Sequence, residues 1–105
     1  FPVIVARPAG RSGEKVDLNK LLKALAKRGI TNILVEGGGE VIASLVKENL
    51  VDRFLVFIAP KIIGGRDAKT AVEGSGTALI KDALKLKNMS VKRFKEDILI
   101  EAEVQ

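Results

Sequence analysis

A chain of 105 residues, 47% hydrophobic and 30% charged, has the size of one globular domain and buries roughly 60–65% of its unfolded surface on folding. No apolar run approaches the ~20 residues that span a bilayer, and Phe1-Pro2-Val3-Ile4-Val5 lacks the basic leader and cleavage site of a signal peptide. The absence of Cys and His excludes disulfides, Cys/His zinc sites and every Ser-His-Asp or Cys-His arrangement. Chemistry must rest on carboxylates, Lys, hydroxyls, backbone amides or a bound cofactor. A soluble, cytoplasmic chain with no membrane partner is expected. Phe1 in place of Met points to a piece of a longer chain.

Val3–Ala6 is a short apolar β-type run, ended by a Pro- and Gly-containing loop through Gly13. Asp17 then caps a helix in which Leu18, Leu21, Leu22 and Leu25 recur at helical spacing, stopped by Lys27-Arg28-Gly29. Ile30–Val35 is a near-continuous apolar run, the pattern of a strand buried on both faces. From Glu40 a second helix turns Val41, Ile42, Leu45 and Val46 inward and ends near Lys47-Glu48-Asn49, and Arg53–Ala59 reads as another buried strand.

This β-α-β-α-β order argues for an α/β sheet with parallel strands. Residues 60–76 read as an irregular excursion in which Thr70-Ala71-Val72 is a candidate short strand. Leu84–Phe94 and Asp97–Val104 then form an antiparallel β-hairpin, with Ile98, Ile100, Ala102 and Val104 on one face, so the sheet is mixed.

The net charge of +5 favours anionic ligands without identifying them. Its densest stretch, Lys81, Lys85, Lys87, Lys92, Arg93 and Lys95, has few aromatic neighbours and no nucleic-acid signature. It reads as a solvated face, and no nucleic-acid partner is expected.

The informative segment is Leu34-Val35-Glu36-Gly37-Gly38-Gly39-Glu40-Val41-Ile42-Ala43-Ser44. A glycine-rich turn between a strand's carboxyl end and a helix lets backbone N–H groups approach a phosphate closely. The spacing is neither G-x-G-x-x-G nor a Walker A loop, and a tight connection without ligand duty explains it equally well. Glu36 ends an apolar run where open α/β sheets bind ligands; it is either a hydrogen-bond acceptor for a ligand or one for neighbouring backbone. Pro60–Gly65 reads as a turn with positive φ, Lys61 as a solvated lysine, and Asp52-Arg53 as a junction pair without function.

Residues 33–65 combine a strand ending in Val-Glu-Gly-Gly-Gly, a helix, Leu50-Val51-Asp52 and a strand running into Ala59-Pro60-Lys61-Ile62-Ile63-Gly64-Gly65. In that order they resemble the reductase domain of the bifunctional riboflavin-biosynthesis deaminase/reductase. The resemblance implies a dihydrofolate-reductase-like mixed sheet and NADPH-dependent reduction of 5-amino-6-(5-phosphoribosylamino)uracil to the ribitylamino product. By motif, Gly38, Gly39, Glu40, Val41, Ile42, Ala43 and Ser44 would form the cofactor phosphate-binding turn, and Glu36 would contact the substrate. Hydride transfer to C1′ of a ring-opened sugar needs no His or Cys nucleophile; the resemblance identifies no catalytic residue.

The resemblance covers residues 1–105 as the carboxyl-terminal part of that reductase domain. The amino-terminal half and the deaminase domain of the family are absent from the sequence and are the expected partners. A homo-oligomer is expected, and a chain that is inactive or nearly so alone. The alternatives are a pteridine or diaminopyrimidine reductase of the same fold, and a noncatalytic phosphate-binding or dimerisation module.

Overall fold

A computed structural model describes residues 16–36 and 38–105; the strand expected at Val3–Ala6 and its following loop lie outside them. The chain divides into two compact units, Phe1–Glu36 and Gly37–Gln105.

In the first unit, α1 spans Leu18–Lys27, and the Asp17 carboxylate accepts a hydrogen bond from the Lys20 N–H at 3.0 Å, the N-cap that its position predicts. Leu18, Leu21, Leu22 and Leu25 are all half-buried, as their spacing requires. The helix ends in a Schellman motif: the Gly29 N–H donates to the Ala26 carbonyl at 2.9 Å and the Ile30 N–H to the Leu25 carbonyl at 3.2 Å, with Gly29 at φ 81. The strand expected over Ile30–Val35 is not formed. A strand exists only through its ladder, this segment pairs with no described residue, and Leu34 is 71% exposed.

In the second unit, α2 spans Gly39–Lys47 and ends in the same device, with Asn49 at φ 57 and the Leu50 N–H donating to the Leu45 carbonyl at 2.9 Å. The strands β1 (Arg53–Ile58), β2 (Leu86–Phe94) and β3 (Asp97–Val104) form a sheet in the order β1-β3-β2. Every pair in it is antiparallel, correcting the expectation of parallel and mixed pairing. The segment that was to run parallel, Ile30–Val35, contributes no strand, and the second arm of the hairpin docks directly on β1.

Nor is β1 buried on both faces, since Phe57 is 57% exposed. The buried hydrophobic residues are Leu45 of α2, at 7% exposure, and Ala102 of β3, at 1%. Val41, expected inward, is exposed, whereas Ile42 and Val46 are half-buried. Val46 and Asn49 share a small cavity of about 230 Å³ with Val51, Leu84, Val104 and Gln105, placing the end of α2 beside the end of β3.

The hairpin forms where expected, around a two-residue turn with Lys95 at φ 56. Between Lys87 and Ser90 one extra residue on β2 makes a β-bulge. Asn88 takes φ 52 there, and its amide donates to Glu103 Oε2 at 3.2 Å, since Asn tolerates the left-handed conformation. Arg53 pairs across the sheet with Glu101 at 3.0 Å rather than with Asp52; both side chains are accessible, so the pair is worth under about 1 kcal/mol.

Candidate functional site: the glycine turn at the start of α2

Gly38 is the N-cap of α2 and has φ 72, ψ 126, a backbone conformation open to glycine and costly for other residues. A side chain there would meet nothing within 4 Å, so conformation rather than crowding calls for glycine. No side chain caps the helix start, which leaves the first-turn amides without a side-chain acceptor from the N-cap residue. Glu40 lies in that first turn, Ile42 and Ala43 are half-buried beneath it, and the Ser44 hydroxyl donates to the Glu40 carbonyl at 3.0 Å.

Gly39 is required for the opposite reason. A Cβ on it would lie 2.6 Å from Glu73 Cγ and 2.9 Å from the Thr70 carbonyl oxygen. The Glu73 N–H donates to the Gly39 carbonyl at 3.1 Å, and a Cβ on Gly74 would meet Ala43 Cβ at 2.9 Å. The excursion expected over 60–76 is irregular, with Gly64 at φ 69 and Gly65 at φ 100 in its first turn. Its segment 70–74, however, lies directly on α2.

Thr70-Ala71-Val72 forms no strand: the Thr70 hydroxyl donates to the Val72 carbonyl at 3.2 Å, closing a local turn in place of a ladder. Residues 67–70 and 72–76 line an open groove of about 580 Å³. The sequence signal for the contact with α2 is Gly74, within the stretch 60–76 that reads as an irregular excursion.

Glu36 belongs to the first unit, where it is exposed and its carboxylate has no hydrogen-bond partner among the described residues. The bland reading, a glutamate occupied by neighbouring backbone, therefore has no support among those residues.

An antiparallel three-stranded sheet with a helix entered through a glycine turn is a partial α/β fold of the dihydrofolate-reductase-like type. Its likeness to solved structures agrees: Acinetobacter baumannii RibD superposes with a TM-score of 0.77 at 24% identity, over 88% of this chain and 26% of that one. Residues 2–100 match the family model of the RibD C-terminal domain, and the chain belongs to that family.

Among its relatives, the riboflavin biosynthesis protein RibD of Actinobacillus pleuropneumoniae is 40% identical over 88 residues, covering 84% of this chain and 23% of the relative. The 2,5-diamino-6-ribosylamino-4(3H)-pyrimidinone 5′-phosphate reductase of Methanothermobacter thermautotrophicus is 40% identical over 91 residues, covering 87% of this chain and 42% of the relative. The chain thus spans less than half the length of these relatives.

Proposed function

We propose that this chain supplies the cofactor-binding part of a riboflavin-pathway reductase that converts a phosphoribosylamino-pyrimidine to its ribitylamino product. The observation that carries the proposal is the family match over residues 2–100, joined to an uncapped helix start at a turn whose Gly38 leaves room for a ligand. A reduced nicotinamide cofactor, NADPH in this reading, supplies the hydride.

The chain's own residues bind and orient. The backbone of Gly38 and Gly39 and the first turn through Ser44 hold the phosphate-bearing part by N–H donation and the helix dipole. Val41, Ile42 and Ala43 form the apolar side of that turn. The Glu36 carboxylate accepts hydrogen bonds from sugar hydroxyls and fixes C1′ for attack. The rest of the reductase domain supplies the opposite wall, and a deaminase domain accompanies it in the bifunctional arrangement.

Two substrates compete. The leading one is 5-amino-6-(5-phosphoribosylamino)uracil; the name of the Methanothermobacter relative favours the 2,5-diaminopyrimidinone as the second. The test follows consumption of NADPH by the reductase assembled with its amino-terminal half, presented with each compound in turn. Turnover of the uracil above that of the diaminopyrimidinone is expected, and the reverse ratio reassigns the substrate. Association of the halves with neither NADPH binding nor turnover overturns the reductase reading in favour of a noncatalytic module.

A further inference from the structure

The segment 70–74 has no role in the site as read from the sequence, yet two independent close approaches fasten it to α2. At one, Gly39 leaves the space into which Glu73 and the Thr70 carbonyl pack, and the Glu73 N–H closes the contact on the Gly39 carbonyl. At the other, one turn along the helix, Gly74 at φ +75 lies so near Ala43 that a methyl would fall 2.9 Å from its Cβ. An ordinary loop crossing a helix leaves room for side chains on one partner or the other. Here both fastening points have been reduced to glycine, one on each element.

We propose that residues 70–74 brace the first turn of α2, and that Gly74 is a positioning residue for the phosphate-bearing part of the nicotinamide dinucleotide. This rests on the reductase reading above. The brace acts through α2: a side chain at Gly74 lifts the segment from Ala43 and breaks the Glu73-to-Gly39 hydrogen bond, which frees the turn that holds the phosphates. Precise cofactor placement suffers, whereas the sugar contact proposed for Glu36 involves no residue of this segment.

The test uses the reductase assembled with its amino-terminal half. Gly74→Ala is expected to raise the Michaelis constant for NADPH about tenfold while leaving that for the pyrimidine substrate within about twofold. In the unaltered protein, NADPH is expected to slow hydrogen exchange at the Glu73 amide, and ribose 5-phosphate to leave it unchanged. This second measurement stands even where the variant does not fold. Equal shifts in both Michaelis constants, or no shift in a folded variant, overturn the positioning role, as does Glu73 exchange indifferent to NADPH. An unaltered assembly that binds no NADPH overturns the reductase reading as well, which separates the two failures.

Discussion

The three candidate site positions differ in what they ask of a side chain, and each difference predicts a different response. Gly38 is constrained by its own backbone, so Gly38→Ala is expected to cost about 1–3 kcal/mol of stability through conformational strain, read as a lower midpoint in urea unfolding, with no neighbour displaced. Gly39 is constrained by Glu73 and Thr70; Gly39→Ala is expected to cost a comparable ~1–3 kcal/mol by overpacking. It should also release the Glu73 amide to fast exchange, a signature that Gly38→Ala lacks. Glu36→Gln keeps shape and removes charge, so it is expected to depress turnover of the assembled reductase with little change in the unfolding midpoint. Unchanged kinetics would remove Glu36 from the substrate site. The glycine run was legible in the sequence as a tight turn leading into a helix. Which glycine answers to backbone and which to a neighbour was not, because the neighbours Thr70 and Glu73 lie 31 and 34 positions further along the chain than Gly39.

At the scale of elements, both helices were legible from leucine spacing and stop signals, because those are local: each ends in hydrogen bonds that span five residues, Ile30 to Leu25 and Leu50 to Leu45. The first uses Gly29 at the left-handed position and the second Asn49. Asn49→Gly is therefore expected to raise stability by about 0.5–1 kcal/mol and Gly29→Ala to lower it by about 1 kcal/mol, measured as opposite shifts of the thermal midpoint. Strand partners are not local, and there the sequence misled. Ile30–Val35 and Arg53–Ile58 are both mostly apolar, four residues of six and five of six, but only the second finds a ladder among the described residues. Composition reports readiness to pair; pairing needs a neighbour. The basic stretch along β2 acquires its physical reason at this scale. Lys87, Lys92 and Arg93 lie on an outer strand of the sheet, with Lys87 opposite Glu103, and charged outer strands resist adding another chain.

At the scale of the molecule, the two outer strands of the sheet formed by the described residues are unlike. β2 carries its charges and its bulge, whereas β1 runs in unbroken register from Arg53 opposite Glu103 to Ile58 opposite Ile98, with Arg53 its one charge. An outer strand that is regular, apolar and exposed invites another strand. The 105-residue chain on its own is expected to gain mass with concentration in sedimentation experiments, and Leu55→Lys, placed opposite Glu101, to suppress that gain while leaving the circular dichroism unchanged. The bulge in β2 has a consequence of another kind, in the arithmetic of sidedness. Leu86 and Val91 are five residues apart, an odd interval that should put them on opposite faces, yet they stand opposite Val104 and Ile100, which share a face. The additional residue restores parity. The strand can therefore lose Met89 and become regular with every other side chain still facing its present side, whereas losing Leu99 from β3 would turn one end of the sheet inside out. Of all points along the hairpin, this is where the chain's length is free to vary.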